Sequence, residues 1–223
     1  KVENFTSADP HSFKGMSFDL HKGEILGIGG LVGAQRTELV ESVFGLRSIA
    51  EGKLYKNGQE IVNSNPQEAI KNGFAMLTEE RRATGIIPML SVMDNTLAVA
   101  FKAMAGNRFG ILNPKKLQTD VEKINGELNV KTPSVKTAIQ NLSGGNQQKV
   151  LICRWLLANS DILILDEPTR GIDVGAKYEI YRIMRELTKA GKSIIMVSSE
   201  MPELIGVSDR IMVMCEGRMT GIL

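Results

Sequence analysis

The sequence predicts an α/β fold: a mostly parallel sheet core, an antiparallel β subdomain and an inserted α-helical subdomain. Three observations predict it. Short apolar strands alternate with helical stretches toward both ends of the chain, the pattern of parallel strands joined by right-handed crossovers. Asn57-Gly58 divides two short alternating runs, the strongest local hairpin signal. Between about residues 83 and 140 the strand signals stop, and helices joined by polar or Gly/Pro loops take over.

The elements follow in order. Glu24 to Ile28 reads as an apolar strand that runs into a Gly-rich turn, Gly29 to Gly33, with a helix opening near Arg36-Thr37 and running to about Phe44. Lys53–Tyr55 and Glu60–Val62 form the hairpin around Asn57-Gly58. Asn65-Pro66 opens a helix with proline at its first position, and Gly73 closes it before the strand Phe74–Leu77. Helices are expected over Asp94–Ala105 and Pro114–Asn129. From Ser143 a helix to Ala158, the strand Ile162–Leu165, a helix from about Gly175 to Lys189 and the strand Ser193–Val197 restore the α/β rhythm. A last hairpin, Arg210–Cys215, turns at Glu216-Gly217.

Composition narrows the function. The 223 residues are 43% hydrophobic, which suits one compact domain or two joined subdomains. The net charge of +2 gives no electrostatic case for nucleic acid. The two cysteines, Cys153 and Cys215, lack metal-type spacing and read as two buried, reduced thiols. His11 and His21 read as ordinary surface or loop residues. The apolar stretch Ile86–Met104 comes nearest to a membrane span, but Pro88, Asp94 and Lys102 interrupt it. The chain opens on Lys1 and stops on Leu223 in a strand-like run, as a piece of a longer protein would.

Two motifs carry chemistry. The first, Gly30-Leu31-Val32-Gly33-Ala34-Gln35-Arg36-Thr37, sits between a strand and a helix, where backbone N–H groups and the helix dipole favour an anion. Against the phosphate-loop pattern G-x-x-x-x-G-K-[ST], it keeps Gly30 and Thr37 but has Gln35 for glycine and Arg36 for lysine. Glycine there permits open dihedrals and close backbone approach, and lysine is a compact charge where arginine is a planar fork. Three readings stay open for this loop alone. They are a modified phosphate loop, a loose dinucleotide fingerprint over Gly27–Gly33, and a plain tight turn.

The second motif is Leu142-Ser143-Gly144-Gly145-Asn146-Gln147-Gln148-Lys149. It begins a helix with Ser143 as the expected N-cap, and its glycines leave backbone donors exposed as a nest for a γ-phosphate. About twenty residues on, an apolar strand ends in Asp166-Glu167-Pro168, and Gly171-Ile172-Asp173 follows. A carboxylate at Asp166 suits the shell of Mg²⁺, and Glu167 suits the orientation or deprotonation of an attacking water.

Taken together, these residues resemble the ABC signature, the Walker B strand with its catalytic glutamate, and the D-loop of ABC transporter ATPases, a P-loop NTPase-type fold. The resemblance covers essentially the whole chain. It is closest to the C-terminal ATPase half of fused bacterial sugar importers of the galactose/methyl-galactoside and ribose kind. It is carried by Gly33-Ala34-Gln35-Arg36-Thr37-Glu38-Leu39, Thr78-Glu79-Glu80-Arg81-Arg82, Leu142–Lys149, Asp166–Ala176 and Val197–Glu203.

The resemblance implies a single ABC ATPase domain over residues 1–223. Residues 1–82 and 141–223 would form the core with its β subdomain, and about 83–140 the helical subdomain. It implies ATP and Mg²⁺ as cofactors, with Gly30, Gly33, Ala34, Gln35, Arg36 and Thr37 at the nucleotide and Thr37 and Asp166 at the metal. Glu167 would be catalytic. Ser143, Gly144, Gly145 and Gln147 would act in trans, together with the D-loop Asp173. The implied partners are an N-terminal ABC half of the same polypeptide, transmembrane permease subunits and, indirectly, a periplasmic or extracellular sugar-binding protein, with no nucleic acid. The implied location is the cytoplasmic face of the bacterial inner membrane.

Departures from the family pattern cluster in one place. The Q-loop glutamine position is Glu79 and the switch-histidine position is Ser199. No tyrosine lies near residues 8–13, where an adenine-stacking aromatic belongs, leaving His11 or an apolar, packed Phe13. The family pairs two halves head to tail, each ATP lying between one half's P-loop and the other's signature. This chain would therefore bring four altered residues to its own site and an intact signature to its partner's. The resemblance also implies that Arg81–Val92 faces a permease helix. Other classes remain: a soluble non-transport ABC ATPase, or a dehydrogenase, for which Glu51 in the turn Ala50-Glu51-Gly52 would have to bind ribose.

Overall fold

Parallel strands covered on both faces read as unbroken apolar runs, because neither face is left to water. Ile162–Asp166 and Ser193–Val197 are such runs. The computed structural model describes residues 1–100 and 113–223. Its strands are β1 (Val2–Ser7), β2 (Met16–Phe18), β3 (Ile25–Gly30), β4 (Ile49–Lys56), β5 (Gln59–Ile61), β6 (Phe74–Leu77), β7 (Ile162–Asp166), β8 (Ser193–Val197), β9 (Arg210–Cys215) and β10 (Arg218–Ile222). The described helices are α1 (Arg36–Val43), α2 (Pro66–Lys71), α3 (Val92–Leu97), α4 (Pro114–Glu127), α5 (Gly144–Leu157), α6 (Val174–Lys189) and α7 (Met201–Val207).

The chain forms two compact units. The first comprises Lys1–Met76, Asp161–Pro168 and Met184–Leu223; the second comprises Leu77–Ser160 and Thr169–Ile183.

The first unit is built on a six-stranded sheet in the order β10-β9-β3-β8-β7-β6. β3 pairs in parallel with β8 and β9, β8 pairs in parallel with β7, and β9 and β10 form an antiparallel hairpin. Ile25, Leu26, Ile28, Leu163, Ile164 and Ile194–Val197 are buried here, the apolar area that drives the sheet together. A second, antiparallel sheet has the order β2-β1-β4-β5. Its β4–β5 hairpin turns at Asn57 and Gly58 with φ 52° and 80°, the left-handed pair that a tight two-residue hairpin demands. Asn65 caps α2 by accepting from the Glu68 N–H at 3.0 Å. Glu51 lies on strand β4 of the antiparallel sheet, opposite Thr6, rather than in a turn; the ribose-binding acid of a dinucleotide fold would close a strand of the parallel sheet that carries the Gly-rich turn, and β4 is not in that sheet.

The second unit packs α3, α4 and α5 around Leu97, Leu117, Val121 and Val135. α3 begins two residues before the expected Asp94, because Ser91 and Asp94 form a reciprocal capping box. α3 also ends at Leu97, where residues 98–100 turn, short of the expected Ala105; the rest of that expected helix lies outside the described residues. α5 is fixed by two basic side chains on its buried face. Lys149 pairs with Glu179 and donates to the Asn129 carbonyl at 2.9 Å. Arg154 donates to the Asn95 carbonyl at 2.7 Å, to the Gly85 carbonyl at 2.8 Å and to Asn95 Oδ1 at 3.3 Å, and burial lowers its pKa to about 10.

A further expectation fails. Cys153 is buried, and burial raises its thiol pKa, but Cys215 is exposed. It ends β9 at the Glu216-Gly217 turn, where the sheet no longer covers it.

Candidate functional site

The chain leaves β3 through Gly30, where only glycine fits. A Cβ there would stand 2.5 Å from the Met214 carbonyl oxygen and 2.9 Å from the Ala34 Cβ. Gln35, at the position where the phosphate-loop pattern has glycine, adopts φ 68° and ψ 29° immediately before α1. The loop has thus kept a left-handed conformation that costs an L-residue about 1–2 kcal/mol. The Gln35 side chain is tethered, its Oε1 accepting from the Ser12 hydroxyl at 3.0 Å and its Nε2 donating to the Gly33 carbonyl at 3.3 Å.

Arg36 opens α1 and turns toward the protein's own groups. Its Nη1 donates to the Ser198 carbonyl at 2.8 Å, and Nη2 lies 3.9 Å from Glu167 Oε1. Glu167 has φ 47° just past the end of β7. Burial raises its pKa, and Ser199 and Arg36 offset part of that. The Ser198 hydroxyl donates to Glu203 at 2.9 Å and accepts from the Glu200 N–H at 3.0 Å, holding the exposed Ser199 in the loop before α7.

Asp166 ends β7 with 1% of its surface exposed, and neither carboxylate oxygen has a hydrogen-bond partner. Burial pushes its pKa up to about 6, and the hydroxyl of Thr37, on the first turn of α1, pulls it back in part. Two buried, unpartnered carboxylate oxygens are costly unless a cation or proton satisfies them. No group of three or more His, Cys, Asp or Glu side chains suited to a metal occurs among the described residues. A magnesium ion needs no such group, since it takes one or two carboxylates and otherwise waters and phosphates. Thr37, Asp166, Arg36, Glu167 and Gln35 are therefore assembled in the first unit.

The second motif belongs to the second unit. Ser143 holds the N-cap position of α5 but caps nothing with its side chain. Its Oγ instead accepts from Asn146 Nδ2 at 2.9 Å, because the Asn146 amide is swung outward with its Oδ1 on the Lys131 N–H at 2.8 Å. The N–H groups of Gly144, Gly145 and Asn146, in the first turn, have no intrahelical acceptor. A cavity lined by Lys131, Ser143, Gly145, Asn146, Asp173 and Glu179 opens in front of them. Gly145 is obligatory, since a Cβ would stand 2.5 Å from the Ala176 Cβ. Asp173 Oδ1 accepts from the Ala176 N–H at 3.0 Å and so caps α6. Gln147 is buried, its Nε2 donating to the Ile139 and Leu142 carbonyls at 3.2 and 3.1 Å.

Glu79 also lies in the second unit, ion-paired with Arg170, which reaches Glu80 at 3.8 Å. The charges of the tetrad Glu79–Arg82 are thus unequally placed. Arg81 is half-buried, and its Nε donates to Gln147 Oε1 at 3.3 Å. The individual roles of Arg170 and Arg81 are not readable in the sequence, because a run of charges does not disclose which member turns inward. Beyond them Ile87, Met89 and Leu90 are exposed. Phe13 is fully buried and packed, as its apolar reading requires, whereas His11 is exposed.

The fold is that of an ATP-binding cassette. A nucleotide-free ATP-binding cassette from an ABC transporter superposes with a TM-score of 0.85 at 20% identity, covering 99% of this chain and 89% of that one. A dimeric cassette in a post-hydrolysis state, bound to ADP and Pi, gives a TM-score of 0.81 at 20% identity over 100% of this chain and 97% of that one. The family model described as ABC transporter matches residues 13–170, and the chain belongs to that family. Among curated relatives, the galactose/methyl galactoside import ATP-binding protein MglA of Clostridium tetani is 62% identical, over 100% of this chain and 44% of the relative. MglA of Haemophilus influenzae is 53% identical over the same shares. The chain thus spans a little under half the length of the relatives it matches.

Proposed function

We propose that this chain is the C-terminal ATP-binding domain of a bacterial sugar importer, of the galactose/methyl-galactoside kind rather than the ribose kind. In this reading ATP binding and hydrolysis drive monosaccharide uptake, and residues 1–223 act as one ABC ATPase domain. One observation carries the finer part: Arg36 is engaged with the Ser198 carbonyl and Glu167, while the first-turn donors of α5 face an open cavity. The domain's own P-loop site is the degenerate one, and Ser143, Gly144 and Gly145, with Asp173, complete the ATP site of an N-terminal half. Gln147 supports that loop through its bonds to the Ile139 and Leu142 carbonyls.

In the domain's own site, Asp166 and Thr37 are the residues that would hold Mg²⁺. The ion, when bound, neutralises charge on the phosphates. Gly30, Gly33, Ala34 and Gln35 would supply backbone at the nucleotide, and Glu167 would accept a proton from water. Arg36 must let go of the Ser198 carbonyl before its fork can reach a phosphate, and Ser199 has no imidazole to offer. Each lost preorganised donor is worth about 2.7–4 kcal/mol of barrier. Turnover here is therefore slow.

The proposed partners are the N-terminal half, the permease subunits, which meet the exposed residues Ile87, Met89 and Leu90, and indirectly a sugar-binding protein. No described helix is long and apolar enough to cross a membrane, which fits a peripheral protein held at the inner membrane's cytoplasmic face by those subunits. ATPase assay of the isolated domain tests the reading. Turnover should be near background, and fast turnover that Glu167→Gln abolishes would overturn it.

A further inference from the structure

The guanidinium of Arg81 lies at the start of α5, beside the signature glycines. Its Nη2 stands 2.9 Å from where a Cβ on Gly144 would be, and its Nε is held by Gln147 Oε1 at 3.3 Å. Gln147 is itself locked by the Ile139 and Leu142 carbonyls. The fork is thus preorganised at the mouth of the loop, its Nη groups unfixed by that bond. Among the described residues no carboxylate lies within ion-pair distance of it, although its neighbours on either side, Glu80 and Arg82, are charged. The acids just before it in sequence, Glu79 and Glu80, are committed to Arg170. A half-buried guanidinium without a counter-ion is expensive, and here burial and Arg82 both lower its pKa. A bound anion would supply what the fold leaves out.

We propose that Arg81 is a phosphate-contacting residue that this chain delivers, together with Ser143–Gly145, to the terminal phosphate of the nucleotide held by its partner half. The inference rests on the reading of Ser143–Gly145 as a phosphate-binding loop. It adds a planar, permanently charged fork to a set that otherwise holds only a hydroxyl and backbone N–H groups. It also explains what Gly144→Asp would do. The new carboxylate would meet the Arg81 fork directly and remove the positive charge from the loop.

The test uses the full-length protein in its assembled transporter. Arg81→Gln should lower kcat for ATP hydrolysis at least about tenfold, a lower bound beside the roughly hundredfold or more lost with one preorganised charge-stabilising donor, with the unfolding midpoint unchanged. ATP binding to the assembled protein in a hydrolysis-arrested background should weaken by a similar factor. ADP binding, which presents no terminal phosphate, should stay within about twofold. Equal weakening of ATP and ADP, or a kcat within twofold of the parent, overturns the role of Arg81. Should Arg81→Gln fail to fold, Arg81→Lys decides by the same ATP-to-ADP comparison, since lysine keeps charge and bulk but loses the fork. Gly144→Asp separates the two levels. If it silences hydrolysis while Arg81→Gln does nothing, the signature reading stands and the Arg81 inference falls; if it is harmless, the signature reading itself falls.

Discussion

Arg36 Nη2 and Glu167 Oε1 face each other at 3.9 Å, with both side chains only 10% exposed. The residue at the phosphate-lysine position is thereby paired with the glutamate at the catalytic-base position. A nucleotide bound at this loop would have to compete with that pair and with the Ser198 bond. Replacing Arg36 by lysine, in a Gln35→Gly background that restores the loop pattern, should raise ATP affinity of the isolated domain several-fold. Calorimetric titration with ATP and Mg²⁺ checks this. Unchanged or weaker binding would mean that the arginine already serves the phosphates.

The raised pKa of Asp166, about 6, has a definite sign. The folded state holds this proton more tightly than the unfolded one. Its contribution to stability is therefore full below about pH 4 and is lost as pH rises through about 6. The loss is on the order of 3 kcal/mol. Asp166→Asn should stabilise the nucleotide-free domain at pH 7 and have little effect at pH 4, as thermal melts would record. Mg²⁺ should stabilise the parent at pH 7, progressively less below pH 6, and the Asn variant not at all.

Arg154 bridges three segments of the second unit through the Asn95 carbonyl, Asn95 Oδ1 and the Gly85 carbonyl. Arg154→Leu would remove the donor to the Asn95 and Gly85 carbonyls, while Asn95 Oδ1 keeps the Ile87 N–H, and should cost roughly 2–4 kcal/mol. Arg154→Lys should recover only part of this, because one ammonium cannot span three acceptors. Urea unfolding of the domain measures both variants, and a loss below about 1 kcal/mol for Arg154→Leu would show that the fork is dispensable.

Met89, Ile87 and Leu90 are exposed apolar residues after the short π-helix Arg81–Gly85. A cysteine-directed crosslinker at Met89→Cys, in a background where Cys215 is replaced by serine, should capture a permease subunit in membranes. Crosslinks that never include the permease would count against docking there. Cys215 has to be removed because it is exposed and would react.

The α/β class, the β4–β5 hairpin, the Asn65 cap and the order of the two motifs are legible in the residues alone, because each rests on local chemistry. An Asn-Gly turn, a proline at a helix start and a five-residue apolar strand carry their cause within a few residues. The altered positions Gln35, Arg36, Glu79 and Ser199 are legible too, since a motif defines what each should be. What those residues do is settled only by folding. That Gln35 keeps a left-handed backbone, that Arg36 reaches Ser198 across 162 positions and that Glu79 pairs with Arg170 across 91 depend on where distant segments come together. The same holds for Arg81, one charge in a run of four until folding turns it inward against Gln147 and leaves it without a counter-ion among the described residues. Burial and pairing are properties of three-dimensional neighbours, and a charged residue's sequence neighbours do not say which of them it will meet.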